Sequence, residues 1–144
     1  MDLPDFFDRA KETSPIVSVG DAVLDVCKSV RIAPPNPKYL GVTTEIVTDR
    51  RRFAGGVACG GSWMNICGAK PTVASVVGTG STVTALKDAM RECGLATSAL
   101  LGIEERKTPT VDWVIDRDTG ELLRRELSPD QSDIPDLAVD YLID

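Results

Sequence analysis

Residues 53–78, FAGGVACGGSWMNICGAKPTVASVVG, constrain the fold more than any other part of the chain. Two Gly-Gly pairs, Gly55-Gly56 and Gly60-Gly61, leave the backbone with little side-chain cover, which lets a ligand or a packed element approach closely. We therefore predict a glycine loop here, followed by a short apolar helix over residues 62–68. The β-branched run at residues 72–77 predicts a buried strand.

Strand-like runs lie on both sides of this segment. The first, IVSVGDAVLDV, is interrupted at its centre by Gly20-Asp21. The turn sequence DRDTG separates two later runs and is typical of a β-hairpin. The order of elements predicts an α/β chain. Besides strand 72–77, we predict strands at residues 16–26, 28–33, 43–47, 99–103, 110–115 and 122–127, and helices at residues 1–14 and 82–93.

Length and charge limit the classes of function. A chain of 144 residues suits one domain, and we treat residues 1–144 as one. The net charge of −6 argues against nucleic acid or an anionic membrane as the main partner. No apolar run approaches the roughly 20 residues that span a bilayer. The acidic N-terminus lacks the pattern of a signal peptide, so we expect a cytoplasmic protein.

Cysteine and histidine usage narrows the chemistry. The four cysteines, at positions 27, 59, 67 and 93, form no CxxC pair, and the chain has no histidine. We therefore predict no metal site and expect free, mostly buried thiols. The lack of histidine excludes Ser-His and Cys-His nucleophiles.

Acidic and basic side chains near the glycine segment are candidate ligand contacts. Asp21 and Asp25 end the first apolar run, and ligands gather at the carboxyl ends of strands in open α/β sheets. An ionised carboxylate can accept two hydroxyl hydrogen bonds, although Asp25 could instead cap a turn. The triplet Arg50-Arg51-Arg52 could bind a phosphate group or form a solvated face.

These segments together resemble the ribokinase/PfkB carbohydrate kinases over roughly residues 16–128. The GG-x-x-N segment of that family is followed by a helix, a Gly-Ala turn and a VGxVG strand. Gly55, Gly56, Gly68, Ala69 and Gly78 match that order. The segment GDAVLD matches the GDxxLD opening of heptose-phosphate kinases, such as the kinase domain of ADP-heptose synthase, which makes that type the most similar.

The resemblance implies a ribokinase-like fold: a partly parallel sheet with flanking helices and a small β-lid from about residues 28–53 and 110–127. It implies that Asp25 binds sugar hydroxyls, and that Cys59 stands where the family has a sugar-binding Asn. Arg124 and Glu126 align with an R-x-D/E pair of the lid, although a surface salt bridge is the alternative. The substrate-binding residues implied are Asp21, Asp25, Gly55, Gly56, Cys59 and Arg124.

The family's catalytic base lies in a GAGD segment of its ATP-binding C-terminal half, and this chain contains no GAGD. We therefore predict no catalytic residue here, and no cofactor for this chain alone, although the full-length family uses ATP and Mg²⁺. The resemblance implies that the chain corresponds to the N-terminal sugar-binding and lid portion of a sugar or sugar-phosphate kinase. Its expected partners are that small molecule and, in a homodimer formed through the lid strands or the missing C-terminal half, a second copy of the chain. The alternatives are a non-catalytic sugar-phosphate-binding or dimerisation module, and an unrelated nucleotide-binding α/β domain.

Overall fold

The structure, a computed structural model, describes residues 16–34 and 44–128. The predicted helix at residues 1–14 and the chain after Ser128 lie outside the described residues. The described residues form seven strands and two helices. In chain order these are β1 (Val17–Val19), β2 (Ala22–Ile32), β3 (Glu45–Gly56), α1 (Val57–Ile66), β4 (Thr72–Val77), α2 (Ser81–Glu92), β5 (Leu100–Gly102), β6 (Thr110–Asp116) and β7 (Leu122–Leu127).

The strands form two sheets. The main sheet is parallel, with the order β1-β4-β5, and its central strand β4 is buried along nearly its whole length. The second sheet has the order β3-β2-β6-β7, in which β2 and β6 are parallel and the two outer pairs are antiparallel. A partly parallel sheet with flanking helices and a separate β-lid was predicted, and the structure confirms it. We call the second sheet the lid.

The first predicted strand, residues 16–26, is in fact two strands in different sheets. β1 ends at Val19, Gly20 adopts a φ of 152°, and β2 begins at Ala22 in the lid. Asp25 therefore lies inside a lid strand, and the prediction that it ends a main-sheet strand was wrong. Hydrophobicity alone could not separate the two strands because both are apolar.

The glycine segment forms regular structure, so the predicted loop was also wrong. Gly55 and Gly56 end β3, and α1 begins directly afterwards at Val57 and contains Gly60-Gly61. A Cβ atom on Gly61 would lie only 2.6 Å from a methyl group of Val73 in β4. The glycine lets the helix pack closely against the main sheet, which is why it occurs inside a helix despite its low propensity.

One apolar core joins the two sheets and both helices. The buried positions of α2 recur at helical spacing, and the helix ends before Gly94, which has a φ of 73°. Leu86 and Met90 are fully buried, and burying one such side chain contributes roughly 1.5–3 kcal/mol. The core comprises Ala22, Leu24, Val26, Ala54, Ala58, Val73, Val77, Val83, Leu86, Ala89, Met90, Leu95 and Leu100.

The lid has two faces, because successive side chains of a strand point to opposite sides. Leu24 and Val26 of β2 lie on the face that joins the core, which we call the Leu24 face. Asp25 and Cys27 lie on the opposite face, which we call the Asp25 face, together with Trp113 of β6.

The cysteines do not lie where the sequence suggested. Cys59, Cys67 and Cys93 are exposed and Cys27 is half-buried, all with free thiols, so the expectation of mostly buried thiols was wrong. In the part of the chain that the structure describes, no helix has the length and apolar character needed to cross a membrane.

Candidate functional site

The Asp25 carboxylate lies directly over the backbone of Gly55 on the Asp25 face of the lid. The two residues are on neighbouring antiparallel strands, where Asp25 pairs with Phe53 and Val23 pairs with Gly55. A Cβ atom at Gly55 would collide with the carboxylate. Only glycine leaves room for this arrangement, so the glycine and the acid are coupled by packing.

The next residue, Gly56, joins β3 to α1. It has a φ of 59°, and a Cβ atom there would collide with the carbonyl oxygen of Asp21. That oxygen accepts a 3.0 Å hydrogen bond from the backbone N–H of Val57, the first residue of α1. One of the N–H groups exposed by the helix start is therefore already used inside the protein.

The side chain of Asp21 pairs with a buried cation. Its Oδ1 accepts a 2.8 Å hydrogen bond from Nη2 of Arg106, whose side chain is 3% exposed while that of Asp21 is 40% exposed. Arg106 lies in the loop between β5 and β6. This ion pair ties the crossing from β1 to β2 to the loop that begins the second half of the lid.

Trp113 holds one oxygen of Asp25. Its Nε1 donates a 3.2 Å hydrogen bond to Oδ1 of Asp25. The guanidinium of Arg125 lies 4.8 Å from the centre of the same indole ring, on the same face of the lid. Asp25 thus has a donor at one oxygen and a glycine beneath it, and the ring that supplies the donor is itself covered by an arginine.

The structure brings four of the predicted site residues together: Asp21, Asp25, Gly55 and Gly56. Cys59 lies three residues after Gly56, in the first turn of α1, and is exposed. It shares no described contact with Asp25.

Arg124 is not part of this group. It pairs with Val114 in the register of β7 and β6, which puts its side chain on the Leu24 face. It is bound to Glu45 and, at 2.6 Å, to Glu126. Hydrogen bonding to Arg124 lowers the pKa of Glu45, and the same carboxylates raise the pKa of Arg124.

Sequence reasoning missed Arg106. It lies in the charged run EERKT, and such a run normally predicts a solvated loop. No local signal distinguishes the arginine that is buried from its exposed neighbours. Its partner is 85 residues away in the sequence.

Carboxylate and thiolate side chains are the groups of this chain that could ligate a metal ion. Among residues 16–34 and 44–128, no group of three or more Cys, Asp or Glu side chains converges in a way that could hold a metal ion.

Solved structures share this fold. A carbohydrate kinase from Agrobacterium tumefaciens superposes with a TM-score of 0.62 at 18% identity, over 81% of this chain. The nucleoside kinase of Methanocaldococcus jannaschii, an archaeal member of the ribokinase family, gives a TM-score of 0.54 at 22% identity over 79%. Arabidopsis thaliana ribokinase, complexed with ribose and ATP, gives 0.55 at 17% identity over 79%.

These likenesses establish a ribokinase-like fold. The chain spans only 36%, 36% and 35% of the lengths of those three proteins, in the same order. No protein-family model and no curated sequence matches the chain.

Proposed function

We propose that the chain is the sugar-binding and lid portion of a carbohydrate kinase, and that it takes a sugar or sugar phosphate on the Asp25 face. One observation carries the proposal: within a ribokinase-like fold, the Asp25 carboxylate is held over Gly55. The resemblance of GDAVLD and the Gly-Gly pair to the motifs of the family supports the proposal, because it implies a sugar-binding acid at this same residue.

The chemistry of Asp25 suits a polyhydroxylated ligand. Each carboxylate oxygen has two acceptor sites, and one site of Oδ1 is used by Trp113. The remaining sites can accept two neighbouring hydroxyl groups of a sugar ring. Because Asp25 is half-buried, these charge-assisted bonds are less screened by water than at a fully exposed site.

The other predicted site residues would support sugar binding by Asp25 in different ways. Gly55 leaves room for the Asp25 carboxylate and Gly56 for the carbonyl oxygen of Asp21. The side chain of Asp21 is held in place by Arg106. Cys59 replaces the Asn that the family uses, and a thiol is a weak donor and acceptor. We therefore expect weak binding through this position. Arg124 lies on the Leu24 face, so it would stabilise the lid through its ion pairs with Glu45 and Glu126 and would not contact the sugar.

In this proposal, phosphoryl transfer requires a complete kinase and not this chain alone. ATP and Mg²⁺ would be bound by a portion that carries the missing GAGD segment. Phosphoryl transfer depends on positioned charge around the γ-phosphate. Within this chain, the residues of the Asp25 face would bind and orient the acceptor sugar. A heptose phosphate is the more specific candidate for the acceptor sugar, and this suggestion depends on the GDAVLD motif alone.

A binding or dimerisation module without catalysis is the second candidate. The edge strands of the lid favour this second candidate. Within the described residues these edge strands are β3 and β7, and every residue of β7 is exposed. Edge strands can pair with a second copy of the chain. Sedimentation velocity of the purified chain separates a monomer from such a dimer.

Calorimetric titration tests the sugar site. A thermal-shift screen of sugars and sugar phosphates first selects a ligand, which is then titrated into the wild type and into Asp25→Ala. We expect a loss of roughly ten- to a hundredfold in affinity, because the hydroxyl groups lose a charged partner. Cys59→Asn should change affinity in the opposite direction.

Asp118→Asn is the matched control. Asp118 is an exposed carboxylate in the β6–β7 turn, 3.7 Å from Arg31, and its loss should leave the affinity unchanged. If Asp25→Ala binds as tightly as the wild type, the site is elsewhere and the sugar-kinase proposal loses its main support.

A further inference from the structure

The basic triplet is divided between the two faces of the lid. Arg50 pairs with Lys28 and Arg52 with Val26, so both side chains lie on the Leu24 face. Arg51 pairs with Cys27 on the Asp25 face, and its Nε is bound to Asp49 at 2.9 Å. Three consecutive arginines thus have two different environments.

Arg50 and Arg52 border a cavity of about 330 Å³ between the lid and α2. Its opposite wall includes the hydroxyl-bearing residues Ser81 and Thr82, and Leu24 and Val26 form its apolar floor. The cavity opens on the side of the lid opposite Asp25. It is therefore separate from the proposed sugar site.

The charges around this cavity are not balanced. Among the described residues that line the cavity, Asp112 is the one acidic residue, and it is bound to Lys28 at 2.8 Å. Neither Arg50 nor Arg52 makes a side-chain hydrogen bond or ion pair with any residue in the described ranges. Two guanidinium groups with free donors therefore face one cavity, in a chain whose net charge is −6.

We propose that this cavity binds a phosphate-type oxyanion between the guanidinium groups of Arg50 and Arg52. Guanidinium donors match the geometry of phosphate oxygens and can bind them in pairs. The hydroxyl groups of Ser81 and Thr82 supply further donors from the opposite wall. The cavity volume accommodates a phosphate alone or a small phosphorylated molecule.

Phosphate titration of the ¹⁵N-labelled chain tests the proposal. Sodium phosphate is added at constant ionic strength, and the amide resonances of Ser81 and Thr82 are followed by NMR. We expect a saturable shift with a dissociation constant on the order of a few millimolar. Parallel titrations with ribose 5-phosphate and ribose distinguish a phosphate ester from free phosphate as the better ligand.

Variants within the triplet isolate the two arginines. Arg50→Gln and Arg52→Gln should each weaken phosphate binding by about fivefold or more, and the double variant should abolish the saturable shift. Arg51→Gln removes the same charge from the other face and should change binding less than about twofold. All three positions are exposed, so thermal melts should confirm that the variants fold.

Two results would overturn the proposal. One is a shift that never saturates and that sodium chloride reproduces. The other is an equal loss of binding in Arg51→Gln and Arg52→Gln, which would show a general charge effect. Asp25→Asn should leave phosphate binding intact, because the cavity does not depend on the sugar site.

Discussion

Arg106 reaches Asp21 across 85 residues of sequence and binds it at 2.8 Å, with the guanidinium buried and the carboxylate partly open to water. The two residues lie in the two loops that connect the main sheet to the lid. Their pairing therefore helps to fix the position of one sheet relative to the other.

Removing the carboxylate charge should destabilise the fold. Asp21→Asn removes the negative charge that binds the buried guanidinium at 2.8 Å, and we expect the free energy of unfolding to fall by about 1–3 kcal/mol. The figure is kept below that for a fully buried pair because Asp21 is 40% exposed. Chemical denaturation measures the change.

Asp88→Asn is the control for this experiment. It breaks the exposed pair between Asp88 and Arg91, which should contribute less than about 0.5 kcal/mol. Equal losses in the two variants would mean that burial gives the Arg106 pair no special weight.

Two glycine substitutions should have opposite effects. Gly55→Ala puts a methyl group into the Asp25 carboxylate. Either the carboxylate must turn away from Trp113 or the strands must separate, and we expect a loss of about 1–3 kcal/mol. Gly60→Ala meets no atom within 4 Å and lies inside α1. It should stabilise the chain by about 0.5–1 kcal/mol. Thermal unfolding of both variants decides the matter, and a neutral Gly55→Ala would contradict the packing described for Asp25.

The ion pairs of Arg124 with Glu45 and Glu126 predict that the pKa of Glu45 depends on Arg124. Hydrogen bonding to Arg124 lowers the pKa of Glu45 below its ordinary value of 4.5. This pair therefore stabilises the fold above that pH, and the contribution is lost as the pH falls through the lowered pKa. In Arg124→Gln we expect the Glu45 pKa to return to its ordinary value, as measured by NMR titration of its side-chain carboxyl.

Arg125→Gln is the comparison for Arg124→Gln. Arg125 is the next residue along β7 but stacks on Trp113 on the opposite face. Its removal should leave the Glu45 pKa lowered. A lowered pKa that persists in Arg124→Gln would assign the shift to another group.

The 144-residue chain should not phosphorylate sugars. It contains no GAGD segment, which carries the catalytic base in the family that it resembles, and phosphoryl transfer depends on positioned charge around the γ-phosphate. A coupled assay of ADP release with hexoses, pentoses and heptose phosphates measures this directly. Turnover that copurifies with the chain would show that the prediction is wrong.

Local sequence signals predicted the elements whose boundaries are set locally. The β-branched run at residues 72–77 and the strand at residues 122–127 have the bounds of β4 and β7. The β-branched run and the DRDTG turn specify them without distant partners. The prediction that the lid is a separate unit came from the resemblance to ribokinase-type kinases.

Features that depend on distant partners could not be predicted. Gly55 and Gly56 suggested a loop because their strand partners, Val23 and Ala22, lie more than thirty positions earlier. Likewise, nothing in RRR indicates that Arg51 faces one way and its neighbours the other until β3 is paired with β2. The burial of Arg106 depends on Asp21, which also lies far away in the sequence.

The parallel pairing of β2 with β6 has a consequence for the order of folding. Asp25 and Trp113, which meet in the finished lid, are 88 residues apart in the chain. At about 5–20 residues per second, the ribosome needs on the order of ten seconds to deliver the second half of the sheet after the first. During that interval β2 can pair with β3 but not with its parallel neighbour β6, and closing so long a loop is slow. The nascent chain is therefore most exposed to mispairing through the inner edge of β2, which is buried once β6 arrives.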